Sequence, residues 1–218
     1  MQLYDKLLGL PLFQGLSSGD LQDIVTKVKF GFYKYNRGAV LADEGSPCGG
    51  LIFVLDGEVE MKSTSADYSF SFTEYPKAPF VIEPERIFGL HQHYARRYVA
   101  LSQCHCLYVQ KDDVMLLTTD FMVFRLNLLN IISTNSQRLS RMLWRHVAEG
   151  TEERVINFIR THCAIPSGKK VIHIKMQKLA DEINDSRLDV SVCLNRLDDE
   201  AKIILQRGIV TVPRLENL

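Results

Sequence analysis

The feature that most constrains this chain is a stretch of 28 residues, 120–147, that contains no proline and no glycine. Apolar residues recur in it three and four positions apart, which places them on one face of an α-helix. At about 1.5 Å per residue such a helix is roughly 40 Å long, more than one small domain needs for its own core. The sequence therefore predicts a single long helix around which the rest of the chain is organised.

The apolar face of this helix is typical of a seam against a second copy of the chain. A lone asparagine at a seam position, here Asn135, fixes the register of two helices and favours a two-stranded state. We therefore predict a homodimer joined along this helix. The alternative is a helix that packs only on its own domain. The residues predicted to form the dimer interface are Phe124, Leu128, Ile131, Asn135, Leu139 and Met142.

Composition narrows the class of protein. Hydrophobic residues make up 46% of the 218 residues and charged residues 24%, as in soluble globular proteins. No apolar run is long enough to span a membrane, and the N-terminal stretch carries Asp5 and Lys6, unlike a secretory signal. The five cysteines have no paired spacing, which favours a reducing cytoplasm over a disulfide framework. Residues 120–218 hold 15 Lys and Arg against 12 Asp and Glu, which favours an anionic partner at that end.

Before the long helix the apolar pattern has a period of two, which predicts β-strands. The Asp56-Gly57 pair is a strong hairpin signal within this region. Many short strands with close turns indicate an antiparallel sandwich or jelly-roll-like barrel, whose interior suits a small ligand. Two short helices are predicted in front of it, within residues 3–28. The predicted strands are 30–35, 51–55, 58–61, 68–75, 80–82 and 98–109.

A helical module follows the break at Gly150. Two helices are predicted at 176–183 and 187–200, joined by the turn Asn184-Asp185-Ser186, and a two-stranded wing follows over 203–212. Two short helices joined in this way are typical of a helix-turn-helix, whose second helix can lie in the major groove of DNA. The alternative is a helical hairpin that has no role in DNA binding.

Taken in order, these motifs resemble the Crp/Fnr family of bacterial transcription regulators over nearly the whole chain. No one motif is specific, but their order and spacing together are. The matching pieces are Leu10-Pro11-Leu12-Phe13, Glu44-Gly45, Asp56-Gly57, Phe88-Gly89, the long helix, and Leu179-Ala180 through Ser186-Arg187 with the wing.

The resemblance implies an α+β fold with three parts. These are an antiparallel, jelly-roll-like β-roll sensor domain of the cyclic-nucleotide-binding type at 1–119, a long dimerisation helix at 120–148, and a winged helix-turn-helix DNA-binding domain at 149–218. It implies a cytoplasmic homodimer without catalytic activity that binds double-stranded DNA sequence-specifically and regulates transcription. RNA polymerase is a further candidate partner.

The second helix of the DNA-binding module keeps part of the family pattern. Ser186-Arg187 match the family's Ser-Arg start, and Arg187 can bind a guanine edge through two hydrogen bonds. Leu188 and Val192 stand where the family has an acidic residue and an arginine, and they offer only apolar contact. The target sequence is therefore expected to differ from the usual family half-site. The residues predicted to contact DNA are Lys175, Gln177, Ser186, Arg187, Leu188, Ser191, Val192 and Asn195.

The ligand-binding segment departs further from the family, which has Phe-Gly-Glu and then an arginine. In the family, the glutamate accepts the ribose hydroxyl of a cyclic nucleotide and the arginine neutralises its phosphate. Here Leu90 follows Phe88-Gly89, and Tyr94 falls in the arginine position with two arginines close behind. We therefore predict an effector of unknown identity that is not cyclic AMP. The predicted ligand-binding residues are Phe88, Gly89, Leu90, Arg96, Arg97 and Ser140.

Two further patterns contain residue types that can bind metal ions. His91-x-His93 is similar to the two-histidine motif of cupins, but no carboxylate follows at the spacing that a cupin enzyme needs. Binding of haem or a metal by these histidines stays open. Cys104 and Cys106 share one face of a predicted strand and are expected to be buried structural thiols. No catalytic residue, metal or certain cofactor is predicted; the alternative functions are a ligand- or haem-binding sensor without DNA binding and a cupin-like metalloenzyme.

Overall fold

The computed structural model describes residues 3–143 and 148–218. These residues form two compact units. The first contains the described residues up to Val59 together with Pro76–Leu143, and the second contains Glu60–Tyr75 together with the described residues from 148 onward. Packing thus assigns the long helix to the first unit and the segment Glu60–Tyr75 to the second, whereas the sequence predicted boundaries at residues 119 and 148.

Mixed α and β structure with antiparallel pairing runs through both units. The helices of the described chain are α1 Leu3–Leu8, α2 Ser18–Lys27, α3 Lys111–Asp120, α4 Met122–Leu143, α5 Thr151–His162, α6 Met176–Ile183 and α7 Arg187–Asp199. The strands are β1 Phe30–Tyr35, β2 Val40–Ala42, β3 Gly50–Asp56, β4 Val59–Thr64, β5 Phe70–Glu74, β6 Phe80–Val81, β7 Arg97–Ala100, β8 Cys104–Gln110, β9 Lys170–Ile174, β10 Ile204–Gln206 and β11 Ile209–Val212.

The first unit contains a four-stranded sheet in the order β1-β8-β3-β6, and β2 pairs with β7. Strand β3 is apolar and buried along most of its length, because both of its faces are covered. An aromatic cluster joins the helices to this sheet: the Phe13 ring lies 5.7 Å from the Phe53 ring and 5.2 Å from the Phe124 ring, centroid to centroid. The turn after β3 needs Gly57, whose φ is +96° and whose Cα faces the backbone of Cys104.

The long helix begins two residues later than the sequence predicted. Asp120 ends α3, Phe121 is extended, and α4 starts at Met122. The two helices are bent by 113° at this break. Within the described residues no single helix is both long and apolar enough to cross a bilayer, and only this bent pair counted together meets the length and composition needed. The predicted end of the helix at Val147 lies outside the described residues.

Two residues predicted to form the dimer interface instead belong to the core of the first unit. Phe124 is fully buried and Leu128 is 4% exposed, because the first turns of α4 pack on the unit's own sheet and N-terminal segment. The amide of Asn127 also donates to the carbonyls of Leu12 and Gln14. Phe124 and Leu128 are therefore not available to a partner, and the prediction was wrong for this pair.

The second unit is built on a five-stranded stretch of sheet in the order β10-β11-β9-β5-β4. Helices α5, α6 and α7 pack around one apolar core, and α6 has a strongly one-sided apolar face formed by Leu179, Ala180 and Ile183. From α7 the core receives Val190 and Leu194. The opposite side of α7 is consequently left to the solvent.

Candidate functional site

The junction between α6 and α7 is set by three polar residues. Asn184 ends α6 in the left-handed conformation, with φ at +51°, which asparagine tolerates better than most residues. Ser186 then caps α7: its Oγ accepts a hydrogen bond from the Asp189 amide at 3.0 Å and donates to the Asp189 carboxylate at 2.6 Å. The sequence predicted this turn and this cap, and together they fix where α7 begins.

The same turn is fastened to α5 through Asp185. The Asp185 carboxylate accepts hydrogen bonds from the Thr151 hydroxyl at 2.6 Å and from the Arg154 guanidinium. These hydrogen bonds, with the Thr151 contribution the largest, lower the pKa of Asp185 to about 2. The first turn of α7 is therefore held from both sides, by its own cap and by α5.

The solvent side of α7 carries most of the residues predicted to contact DNA. Arg187 and Asn195 are exposed and Ser191 is half-buried. Leu188 is 73% exposed and Val192 is 63% exposed, and neither side chain belongs to the apolar core of this unit.

A cleft of about 570 Å³ lies between the start of α6, the start of α7 and the β10–β11 ribbon. Three cations, Lys175, Arg187 and Arg207, line the cleft together with Gln206, and no carboxylate does. Such a concave and cationic surface suits an anionic ligand. Gln177, also predicted to contact DNA, is exposed on α6 and its amide donates to Asp181 at 2.9 Å.

The residues predicted to bind the effector differ in exposure and in their contacts. Leu90 is 97% exposed at the end of a turn that contains Phe88 and Gly89. Arg97 is exposed and lies 3.6 Å from a carboxylate oxygen of Asp43. Ser140 is exposed on α4. These positions remain a prediction.

Arg96 instead belongs to a buried network that the sequence analysis missed. Its centre is the buried carboxylate of Glu83, which accepts hydrogen bonds from the Ala95 amide at 2.7 Å, from Arg96 Nη1 at 3.1 Å and from the Tyr98 hydroxyl at 3.3 Å. Burial, and then the Glu83 charge, raise the pKa of Tyr98, so the phenol stays protonated as a donor.

Glu83 is a buried acid outside the motif Phe88-Gly89-Leu90, at which the sequence predicts the loss of the family's ligand acceptor. The structure places a buried acid directly after the apolar strand β6 and residue Ile82, seven residues before Leu90. A glutamate that immediately follows an apolar strand is the signal that could have identified it. The first unit therefore does contain a buried acceptor, but Arg96, Tyr98 and the Ala95 amide already engage it.

Metal chemistry gains no support from the part of the chain that the structure describes. It contains no group of three or more His, Cys, Asp or Glu side chains placed to hold a metal ion. Cys104 and Cys106 are buried and unpaired, and burial raises the pKa of the Cys106 thiol to about 12. A thiol of this kind is inert at neutral pH, as expected of a structural cysteine.

Known proteins resemble this chain through the fold. No protein-family model matches the sequence, and a search of curated proteins finds no match. The structure is similar to that of the Thermus thermophilus catabolite activator protein, with a TM-score of 0.54 and 19% identity over 93% of each chain. It is also similar to the sensor domain of the transcriptional regulator DNR from Pseudomonas aeruginosa, with a TM-score of 0.50 and 17% identity over 62% of this chain and 86% of that one.

Both structures belong to regulators rather than enzymes. At these identities the likeness concerns the fold alone, and at that level it confirms the resemblance inferred from the sequence motifs. The chain therefore has the fold of the Crp/Fnr-type regulators and cyclic nucleotide-binding proteins.

Proposed function

We propose that this protein is a sequence-specific DNA-binding transcription regulator of the Crp/Fnr type. The observation that carries the proposal is the cationic cleft beside the exposed start of α7, where Lys175, Arg187 and Arg207 meet without a carboxylate. DNA carries one negative charge per about 1.7 Å of helix axis, so a clustered cationic surface on a neutral protein suits it. In this proposal α6 and α7 are a helix-turn-helix and β10–β11 is its wing.

The residues of this surface divide into two roles. Arg187, at the first position of α7, is placed to read a guanine edge, while Leu188 and Val192 offer apolar contact to thymine methyl groups. Lys175 and Arg207 flank α7 and would bind phosphates, which fixes orientation without reading sequence. Because Leu188 and Val192 are apolar, the preferred DNA sequence is expected to differ from one that is recognised by charged residues alone.

We infer a homodimer joined along α4, through a set of exposed residues that shares only Leu139 with the interface predicted from the sequence. Met122, Leu126, Leu129 and Leu139 are each at least half exposed in the single chain. Met122 and Leu129 are seven residues apart, Leu126 lies between them, and Leu139 continues the stripe, as in a two-stranded seam. A two-fold dimer would present two copies of α7 to two half-sites of one operator.

The β-roll would be the sensor part of such a regulator, and its effector is not a cyclic nucleotide in this proposal. The support is Glu83, whose carboxylate is already committed to Arg96, Tyr98 and the Ala95 amide. An anionic ligand that binds Arg96 has to compete with the buried Glu83 carboxylate for the guanidinium group. The effector is accordingly expected to lack a phosphate.

Selection of binding sites from a random DNA pool by the full-length protein tests the central proposal. We expect enrichment of a two-fold symmetric site, followed by nanomolar to sub-micromolar binding in fluorescence anisotropy at a stated salt concentration. A pool that gains no consensus over repeated rounds, with binding that does not distinguish sequences, would contradict sequence-specific function.

A further inference from the structure

Three tyrosines lie together on one face of the four-stranded sheet of the first unit, away from the Glu83 network. Tyr33 and Tyr35 are on β1 and Tyr108 is on β8. Residues two apart on a strand share a face, and Tyr33 is paired with Cys106, which is two residues before Tyr108. The Tyr33 ring lies 6.5 Å from the Tyr35 ring and 6.3 Å from the Tyr108 ring, centroid to centroid.

The three rings surround a cavity of about 220 Å³, whose lining is completed by Ile52 of β3 and by Cys106. Ile52 and Cys106 are buried, whereas the tyrosines are partly exposed, so the first two form the base of the cavity and the rings form its sides. We call these five residues the tyrosine cradle. A cavity of about 150 Å³ is enough to hold benzene, so the cradle has room for a small organic group.

Two glycines make room for the tyrosine rings. A Cβ atom at Gly31 would lie 2.8 Å from Cε2 of Tyr33, and one at Gly50 would lie 2.7 Å from Cζ of Tyr108. Glycine within a strand often marks a close approach of this kind. Two of the rings therefore lie against the main chain of a strand, which holds them beside the cavity.

The inclination of the rings suits a cation between them. The Tyr33 and Tyr108 rings are inclined at 80° with their centroids 6.3 Å apart. A cation about 4.5 Å above each of two perpendicular rings would place the ring centroids roughly 6.4 Å apart, within the range of a cation–π contact. Tyr35 adds a third ring on the other side of Tyr33.

The charges around the tyrosine cradle also favour a positive ligand. None of the five residues that line it is charged. Lys34 follows Tyr33 in sequence and alternates to the opposite face of the strand. After burial and the Cys104 thiol, the Asp56 carboxylate also raises the pKa of Cys106, so a negative charge acts at the base of the cavity.

The residue types of the cradle favour a methylated cation over a primary ammonium. A primary ammonium is a compact and strongly hydrated charge that needs hydrogen-bond acceptors to replace its water. The lining contains no carboxylate or amide side chain to supply them. A quaternary ammonium spreads its charge over methyl groups, which contact ring faces and an apolar base without hydrogen bonds.

We propose that the tyrosine cradle is a binding site for a small quaternary ammonium ion of about the size of choline. The methyl groups of the ligand contact the faces of the three rings, and Ile52 and Cys106 close the cavity beneath them. The proposal does not depend on DNA binding, because all five residues of the cradle belong to the first unit.

Isothermal titration of the full-length protein with choline tests the class of ligand. We expect a dissociation constant below about 1 mM. Two matched ligands isolate the charge and its methyl groups: the neutral analogue of choline with a tert-butyl group in place of the trimethylammonium, and ethanolamine. Each should bind at least about tenfold more weakly than choline. Equal binding of choline and either matched ligand, or no detectable binding of choline up to about 10 mM, would overturn the proposal.

Variants on β1 test the location of the site. Tyr33→Leu removes one ring, so choline binding should weaken about three- to tenfold, whereas Tyr33→Phe keeps the ring face and should stay within about twofold of wild type. Phe32→Leu is the matched control, because Phe32 is 57% exposed against 51% for Tyr33 and lies on the opposite face of the same strand. This control should bind choline as wild type does.

Gly31→Ala is a second test that leaves every tyrosine in place. The added Cβ atom displaces the Tyr33 ring, so choline binding should weaken about threefold or more. Circular dichroism melts of all variants separate a loss of binding from a loss of folding. Wild-type choline affinity in both Tyr33→Leu and Gly31→Ala, or an equal loss in Phe32→Leu, would place the ligand elsewhere and overturn the proposal.

Discussion

At the scale of single residues, Arg187 is the side chain on which recognition of the DNA sequence depends most in the proposed function. It is exposed at the first position of α7, held there by the Ser186 cap and the Asp185 contacts. Arg187→Ala should cost about 1–3 kcal/mol on the selected site and relax preference at one base pair. Lys175→Ala should instead weaken all sequences alike and reduce the salt slope by about one. Anisotropy titrations with single-base variants of the site, at several salt concentrations, distinguish these two roles. If the Arg187→Ala and Lys175→Ala proteins behave the same, the assignment of base and phosphate contacts is wrong.

Asp185 gives a prediction about acid stability. Hydrogen bonds from Thr151 and Arg154 hold its pKa at about 2, below the value of about 3.9 for an unfolded aspartate. Because the folded-state pKa is the lower one, the stabilisation is complete above about pH 4 and is lost as pH falls towards 2. Asp185→Asn should therefore show a smaller loss of unfolding midpoint over this range than wild type. Asp199→Asn, at the exposed end of α7, is the control and should keep the wild-type slope.

Residue-level prediction succeeded where the signal was local and failed where it was not. The Asn184 turn and the Ser186 cap are determined within a few residues, and the sequence predicted both. Glu83 was missed because its hydrogen-bond partners lie 12 to 15 residues further along the chain. The local match of Phe88-Gly89 to a family motif was stronger than any signal around Glu83, so it drew the predicted site to an exposed turn.

At the scale of elements, periodicity identified the long helix, which the structure describes as Met122–Leu143, but not the face that it buries. Phe124 and Leu128 pack in the unit's own core because the Phe13 ring, more than 100 residues away in sequence, reaches Phe124. The pairing of β5 with β9 was equally invisible, since the two strands are separated by about 95 residues and each has an ordinary alternating pattern. In contrast α6, α7 and the β10–β11 ribbon were predicted to within about one residue, because caps and turns mark their ends.

Substitutions at Leu128 and Leu129, which are adjacent in α4, distinguish an effect on dimerisation from an effect on folding. Leu129→Asp places a charge in the exposed stripe, so it should convert the dimer to a monomer and leave the thermal unfolding of the first unit nearly unchanged. Leu128→Asp buries an unpaired charge in that unit's core and should cost about 3 kcal/mol or more of its stability. Light scattering and circular dichroism melts of the two variants decide between the faces. A monomeric wild type, or a Leu129→Asp protein that stays dimeric, would rule out the proposed seam.

At the scale of the whole molecule, the proposed function assigns the effector and DNA to different units of one chain. The first unit carries the Glu83 network and the exposed stripe of α4, and the second carries the cationic cleft. Composition predicted an excess of cations over residues 120–218, with 15 Lys and Arg against 12 Asp and Glu, but it could not predict which of them the fold gathers at the cleft.

The identity of the effector bears on the whole molecule, and the prediction is that neither cyclic AMP nor cyclic GMP controls it. A bound cyclic phosphate would need Arg96, which Glu83 already neutralises at 3.1 Å, and a ribose hydroxyl would need an acceptor that Tyr98 and the Ala95 amide already occupy. Displacing Glu83 leaves buried donors without partners at roughly 1–3 kcal/mol each, so micromolar affinity should fall at least ten- to a hundredfold. Isothermal titration with both nucleotides should show no binding below the millimolar range, with Leu90→Glu as a control that restores an acid to an exposed turn and should not rescue it. Micromolar binding to wild type that Arg96→Ala abolishes would show that the ligand can take the arginine from Glu83 after all.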